Sequence, residues 1–281
     1  MARWRPRRTV RVHSRWHDIP SLAVVWKRHL PQEPSRQLSD NWSLLHGHCA
    51  DHSSHLRLGR LLHRLDHHDL GVQESALAEL ELATQLIRVG LQVTFLPESQ
   101  ARTADLECRV GSERFFVEVT AMVGSAERRR LPMRGIMRDE EPEEETDRSV
   151  ILTHRVLARI SQKAKQLVDY CDPVILSISI PRADLRGGRQ GRREQIRMDL
   201  KALAGSITVD LMRLRHLSAV LISLWDVEPL PAKAGTRLAN VDLVERTRHQ
   251  RTHPRVRMFI QNPAAAASLS ERQADIVQRI I

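Results

Sequence analysis

The middle of the chain has the clearest pattern of apolar and polar positions, and it predicts a helix, three strands, a second helix and a fourth strand. Apolar residues first recur at helical spacing and then give way to short β-branched and aromatic runs, which are typical of strands. The predicted elements are a helix at 72–89, strands at 91–96 and on either side of 111–112, a helix at 149–170 and a strand at 174–180. Gly90 supplies the expected stop after the first helix. This order indicates an α/β domain.

Weaker patterns flank this core on both sides. They predict a short helix at 56–65, a basic loop at 182–197 that runs into a helix ending near residue 204, strands at 218–225 and 255–260, and a closing helix at 269–280. Periodicity alone leaves open whether these later elements extend the same sheet or form a second lobe. Because no long linker precedes them, we favour extension.

The first 55 residues differ from the rest. They lack a sustained period and are interrupted by prolines, so we expect a poorly ordered, basic, His- and Trp-rich segment ahead of a domain at 56–281. An alternative is that translation begins further downstream. Within the domain we expect a core at 72–180, an acidic, solvated loop at 124–148 and a basic extension at 181–281.

Histidines and one cysteine are concentrated between residues 46 and 55. The cluster comprises His46, His48, Cys49, His52 and His55. Its spacing matches no zinc-finger pattern, and in a His-rich tract such a cluster is more often incidental than a metal site. A metal-binding protein centred on this segment is therefore the weakest of three functional hypotheses.

Charge is distributed unevenly along the 281 residues. The formal net charge is +10, yet residues 71–180 carry more acids than bases, while the flanking segments are basic. This layout suits an enzyme with an acidic pocket and a polyanion on its rim. Genomic base content is an equally good explanation of the Arg-rich composition. Arginines at 182–197 and 246–257 are candidate phosphate contacts, with solvated surface arginines as the alternative.

No apolar run approaches the roughly 20 residues that span a bilayer, so we expect no membrane association. The three cysteines match no disulfide framework and no structural zinc pattern, which fits a reducing compartment. We expect a cytoplasmic protein, although the Arg-rich, acid-poor first thirty residues also suit an organellar transit peptide.

The segment 103–120, TADLECRVGSERFFVEVT, predicts a hairpin that opposes two acids. With Gly111 and Ser112 as a type II′ turn, Asp105 lies across from Glu118. Directly opposed residues have Cβ atoms about 4.5 to 5.5 Å apart, and like charges there are destabilising unless a positive group lies between them. A divalent metal ion would be such a group.

Glu79 is a candidate third acid, because it shares a helical stripe with Leu82, Ala83 and Leu86 and should point toward the packed side. Glu81 lies on a different stripe. A buried carboxylate costs free energy unless it is paired or binds a metal. The alternative for Glu79 is a helix-edge acid that reaches water or pairs with an arginine.

The strings ELELATQLIRVGLQVTF, TADLE and FFVEVT resemble the PD-(D/E)XK nuclease superfamily, also called restriction-endonuclease-like. The resemblance covers about residues 74–180 and implies an α-β-β-β-α-β core with a mixed central sheet between helices. It implies a nuclease that uses Mg²⁺ or Mn²⁺ on nucleic acid, and we expect DNA. Asp105 and Glu118 would bind the metal, and Glu79 would bind it directly or through water.

The chain departs from this family pattern at Thr120, where the family has a lysine. Thr120 can hydrogen-bond a water but carries no charge. In family variants the basic group comes from the following helix, and here Lys163 lies on the core-side stripe of that helix. We hypothesise that Lys163 replaces the missing lysine, assisted by Gln166. The alternative is that Lys163 lays its stem along the helix edge.

Two functional hypotheses follow from these residues. The first is a metal-dependent nuclease, which the three acids favour. The second is a catalytically inactive nucleic-acid-binding or interaction module, which Thr120 favours. Few aromatic residues accompany the arginines, so base stacking on single strands is not indicated.

Overall fold

The computed structural model describes residues 32–49, 51–67, 69–97, 103–122, 145–180, 196–225, 227–231, 238–247 and 253–281. Its helices are α1 (Gln32–His48), α2 (His52–Leu65), α3 (Leu70–Arg88), α4 (Glu145–Ala164), α5 (Leu200–Arg213) and α6 (Glu271–Gln278). Its strands are β1 (Gln92–Phe95), β2 (Leu106–Val110), β3 (Glu113–Ala121), β4 (Val174–Ile180), β5 (Ile196–Met198), β6 (Ala219–Leu224), β7 (Val227–Pro229), β8 (Val241–Glu245) and β9 (Val256–Gln261).

Seven strands form one mixed sheet in the order β1-β2-β3-β4-β6-β9-β8. Strand β4 pairs in parallel with β3 and β6, and the remaining neighbours are antiparallel. The predicted order of helix, three strands, helix and strand is confirmed by α3, β1, β2, β3, α4 and β4. The later strands β6, β9 and β8 extend this sheet, while β5 and β7 form a separate parallel pair.

Helices cover both faces of the sheet, and each face has its own apolar core. Helices α1, α2, α3 and α6 pack on one face through residues such as Leu45, Leu58, Leu80 and Val277. Helices α4 and α5 pack on the other face. Strand β3 contributes alternate side chains to the two cores, as period-2 alternation requires. Strand β3 therefore lies between two helical layers.

The hairpin of β2 and β3 has the predicted register. Val110 lies opposite Glu113, and Leu106 opposite Val117. Gly111 has φ of +60°, and no described non-glycine residue has a positive φ. A turn with the left-handed region at its first central position only is type II′ rather than I′. Because this turn fixes the pairing, it also decides which residue lies across from Glu118.

The first core helix, α3, begins and ends at recognisable capping residues. The Asp69 side chain accepts a hydrogen bond from the Gly71 N–H at 2.8 Å. At the other end Gly90 has φ of +96°. The N–H of Leu91 donates to the carbonyl of Leu86 at 3.1 Å, which is the Schellman arrangement. These caps place Glu79 in the middle of the helix.

The N-terminal expectation is wrong in part, because residues 32–48 form helix α1 and Leu45 and Cys49 are buried in the core. Helix α5 also continues to Arg213 rather than ending near residue 204. The strands β5, β7 and β8 have no counterpart in the predicted elements. They are short, and the burial pattern of β8 is mostly exposed.

Several sequence expectations fall on residues whose placement is not described. They concern residues 1–31, most of the acidic loop at 124–148 and most of the basic loop at 182–197. Of the helices that the described ranges contain, none is long and apolar enough to cross a membrane.

Candidate active site

The paired acids of the hairpin lie where both helical layers approach the sheet. The register of β2 and β3 sets Asp105, directly before β2, opposite Glu118. Glu118 is 5% exposed, and the Asp105 side chain is 16% exposed. The like-charged pair predicted from the sequence is therefore present, and it is largely shielded from water.

Lys163 of α4 supplies a positive charge to Glu118. Its Nζ lies 2.6 Å from Glu118 Oε1, and its side chain is 21% exposed. The Lys163 ammonium therefore reaches the acids, and its role as a replacement for the missing lysine stays a prediction. Lys163 shares a stripe with Val156 and Ile160, which are fully buried against the sheet. The aliphatic part of the Lys163 side chain therefore points toward the core, and its ammonium contacts the Glu118 carboxylate.

Asp105 is held by two hydrogen bonds. Its Oδ2 accepts from the Val119 backbone N–H at 2.8 Å, so the side chain continues the hydrogen bonding between β2 and β3. Its Oδ1 accepts from Arg57 Nη2 at 2.7 Å. Both carboxylate oxygens thus have a donor, and the side chain is fixed at the start of the strand.

Glu79 is buried at 2% exposure and is bound by arginine. Arg57 donates from Nε to Oε1 at 3.0 Å and from Nη2 to Oε2 at 3.1 Å, a two-pronged contact. Arg64 Nη1 lies 3.5 Å from Oε2. The predicted inward orientation of Glu79 is confirmed. Its contacts match the alternative in which the acid pairs with an arginine.

Burial sets the electrostatics of the acids. It raises the pKa of Glu118 to about 7, the Asp105 carboxylate adds to this rise, and Lys163 opposes it. Burial and Asp105 likewise raise the pKa of Glu79, while Arg57 and Arg64 oppose the rise. Among the described residues, three carboxylates therefore meet three cationic side chains.

The other two predicted site residues make weaker connections. Thr120 is 5% exposed and lies two positions after Glu118 on the same face of β3. Gln166 lies in the turn after α4, where its backbone N–H donates to the Lys163 carbonyl at 2.9 Å. In the part of the chain that is described, the Gln166 side chain makes no hydrogen bond to either Asp105 or Glu118.

Arg57 was missed by the sequence analysis, although a signal was present. Ser54, Arg57, Leu58 and Leu61 are the buried residues of α2, at the spacing of one helical stripe. An arginine within an apolar stripe points inward, which is the argument already applied to Glu79. Arg57 bridges Glu79 and Asp105, so α2 belongs to the site.

Tyr170 was also missed. It is the single tyrosine of the chain, and nothing else distinguishes it in the sequence. Its hydroxyl accepts a hydrogen bond from the Ala104 N–H at 2.6 Å, and its ring packs against Phe116. Burial raises the Tyr170 pKa, with contributions from Glu118 and Asp105. Tyr170 thus holds the residue directly before Asp105.

The donor set at the acids fits a hard divalent cation in kind, since carboxylate oxygens are the ligands that Mg²⁺ prefers. The number of such ligands is limited to two, Asp105 and Glu118. Within the described ranges, no group of three or more His, Cys, Asp or Glu side chains could hold an ion. Two carboxylates, those of Asp105 and Glu118, would be enough protein ligands for Mg²⁺, which usually retains several waters.

The His-rich segment shows packing rather than a metal cluster in its described part. His46 of α1 and His55 of α2 stack with ring centroids 4.8 Å apart and planes 8° apart. The Cys49 thiol lies 3.5 Å from the Val93 carbonyl. These contacts join the two N-terminal helices to each other and to β1.

Arginines near the end of the chain make internal contacts. Arg246 donates to the backbone carbonyls of Pro254 and Ile281. Arg255 pairs with Glu245 at 3.2 Å, and Arg257 is buried at 4% exposure. Their role as phosphate contacts stays a prediction.

No protein-family model, no curated protein and no solved structure matches this chain.

Proposed function

We propose that this protein is a metal-dependent phosphodiesterase that cleaves nucleic acid, with DNA as the expected substrate. The observation that carries the proposal is the pair Asp105 and Glu118 with the Lys163 ammonium 2.6 Å from Glu118 Oε1. Phosphodiester hydrolysis needs ligands for a cation and a positively charged donor beside the attacking water. The two carboxylates would be the ligands, and the Lys163 ammonium would be the donor.

The protein residues each have a distinct part in this proposal. Glu118 and Asp105 hold the cation, and the Val119 N–H fixes the Asp105 carboxylate. Lys163 orients the attacking water and offsets the negative charge that develops at phosphorus. Thr120, on the same face as Glu118, adds a hydroxyl that can hydrogen-bond this water. A bound Mg²⁺ or Mn²⁺ ion would lower the pKa of a coordinated water and neutralise phosphoryl oxygens.

We also propose that the chain is a divergent PD-(D/E)XK protein. The order of α3, β1, β2, β3, α4 and β4 supports this assignment, as do the positions of Asp105 and Glu118 on neighbouring strands. Lys163 would take the role of the motif lysine from the following helix. The net charge of +10 favours a polyanionic partner.

A catalytically inactive nucleic-acid-binding or interaction module is the second candidate. The observation that favours it is the balance of charge at the site: Arg57, Arg64 and Lys163 already face the three carboxylates. Such a site would be stable without any added cation. Binding of DNA by a protein that never cleaves it would support this candidate.

The deciding experiment is cleavage of supercoiled plasmid and linear DNA in Mg²⁺ or Mn²⁺. We expect Asp105→Asn and Glu118→Gln to abolish cleavage, because each removes a metal ligand. Glu107→Gln is the matched control: this acid lies on β2 and pairs with Arg109 instead. It should retain activity.

Circular dichroism and thermal unfolding would establish that the variants fold. Equal cleavage by the wild-type and Glu118→Gln proteins would place the activity elsewhere. No cleavage by the wild-type protein would reject the nuclease.

A further inference from the structure

We propose that Arg57 acts as a built-in cation of the site, with Glu79 as its counter-ion, so that the site binds a single divalent ion at Asp105 and Glu118. This inference rests on the proposed function and sharpens it. It makes Arg57 and Glu79 positioning residues that do not touch the ion.

The geometry of Arg57 carries the first step. The guanidinium is 5% exposed and reaches three carboxylate oxygens, at 3.0 and 3.1 Å on Glu79 and 2.7 Å on Asp105. A two-pronged contact matches the fixed fork of arginine donors and is among the stronger ion pairs. Glu79 therefore has both oxygens turned to a cation that comes from another helix.

The positive charge of Arg57 excludes a metal ion from the space between Glu79 and Asp105. A divalent ion placed between Glu79 and Asp105 would lie against the Arg57 guanidinium in a low-dielectric interior, where like charges repel strongly. Displacing the Arg57 guanidinium to make room for the ion would leave it buried without its carboxylate partners, which costs free energy. The Glu79 side of the site is therefore closed to metal.

The opposite side of Asp105 carries the third step. Glu118 approaches Asp105 from β3, and its countercharge is Lys163, whose side chain is 21% exposed. A flexible ammonium on a four-carbon stem can withdraw toward water at little cost. Withdrawal of Lys163 would free Glu118 Oε1 to bind an ion together with Asp105, which Arg57 holds in place.

The test is a count of bound Mn²⁺ on the full chain, by calorimetry and by the electron paramagnetic resonance signal of free Mn²⁺. Ions belonging to the site are those lost in Asp105→Asn, because Asp105 would contribute a ligand to an ion beside Glu118 and to an ion beside Glu79. We expect one such ion in the wild type. We expect two in Arg57→Met, because Asp105 then loses its cation, Glu79 keeps only the more distant Arg64, and the two carboxylates can attract a second ion.

The double variant Arg57→Met with Glu79→Met tests whether Glu79 is a ligand of the metal ion or only the counter-ion of Arg57. It removes one positive and one negative charge, so the net charge of the site is unchanged. Asp105 loses its contact with Arg57 and keeps the hydrogen bond from the Val119 N–H. We expect one ion, with a dissociation constant within about tenfold of the wild type, the lower limit for loss of an outer-shell partner.

Each result bears on the inference. Two site ions in the wild type, one ion in a folded Arg57→Met protein, or none in the double variant would overturn it and leave the nuclease proposal intact. No ion lost in Asp105→Asn would reject both. If Arg57→Met fails to fold, the double variant and the wild type decide the question.

Discussion

At the scale of single residues, the site is a balance of buried charges. Asp105 and Glu118 are forced together by strand register, and each is matched by a cation from a different helical layer: Arg57 from α2 and Lys163 from α4. Residues from both faces of the sheet therefore converge on one pair of strands. The proposed metal binding at this point would require one of these cations to move away from its carboxylate.

Lys163 gives the most direct residue-scale prediction. Lys163→Met should lower cleavage about 100-fold or more, the range expected for loss of a donor that stabilises developing negative charge. It should also raise the pKa of Glu118 further, because the ammonium opposes the effect of burial. Lys165→Met is the matched control, since Lys165 lies two residues on and is exposed. Steady-state cleavage rates would measure both variants, and equal rates would exclude the role given to Lys163.

Glu118 should also make stability depend on pH. Burial raises its pKa from 4.5 to about 7, so the folded protein binds more protons than the unfolded chain between these values. Stability from this group is present below pH 4.5 and lost as the pH rises through 7, by up to about 3 kcal/mol.

Urea unfolding in EDTA at several pH values would measure this dependence. Glu118→Gln should remove this part of the slope, and Glu107→Gln should retain it. An unchanged slope in Glu118→Gln would contradict the assignment.

At the scale of elements, the hairpin of β2 and β3 is the part that assembles the acids. Its register is set by a two-residue turn, and a slip of one residue would turn Glu118 to the opposite face of the sheet. The α4 helix and the α2 helix then need only present one side chain each. The turn is thus as important for the site as the carboxylates.

Gly111 tests this dependence on the turn. Gly111→Ala should destabilise the protein by about 1–2 kcal/mol, because φ of +60° is unfavourable for a residue with a Cβ. The added Cβ would also lie 3.0 Å from Arg272 Nη1. Chemical denaturation would measure the change. Gly205→Ala is the comparison: this glycine is within α5 with open space around it, so the substitution should stabilise by roughly 0.5–1 kcal/mol. Equal effects at the two positions would argue against strain at the turn.

At the scale of the whole molecule, the N-terminal helices are part of the core. Leu45 of α1 and Leu58 of α2 are fully buried against α3 and the sheet. Helix α2 also carries Arg57 and Arg64, the cations that neutralise Glu79. The sheet and the helix pair therefore depend on each other for both apolar contact and charge.

Leu58 provides the test at this scale. Leu58→Ala should cost about 2–5 kcal/mol in unfolding free energy, as expected for a cavity in a packed core. Leu56→Ala, on the same helix but with 47% of the side chain exposed, should cost less than about 0.5 kcal/mol. Similar small losses in both would mean that α2 is an appendage. Urea denaturation of the three proteins would distinguish these outcomes.

Local sequence determined much of the fold. The alternation of apolar and polar residues and the turn residues were enough to predict the register of the hairpin, because pairing across a two-residue loop is a short-range property. They were also enough for the orientation of Glu79 and Lys163, since a helix fixes the phase of every side chain along it. The strands β5, β7 and β8 were not predicted, because three-residue strands and an exposed edge strand carry little periodic signal.

Tertiary structure alone decided what the acids contact. Arg57 lies 22 positions before Glu79 and 48 before Asp105, and no local pattern links residues so far apart. Its inward orientation could be inferred from the stripe of α2, but its partners depend on how α2 packs against α3 and the start of β2. The sequence by itself determined that two acids would be opposed in a hairpin and that a third would be buried. The packing of helices on both faces determined which cations neutralise them, because ion pairs across layers depend on three-dimensional distance rather than on position in the chain.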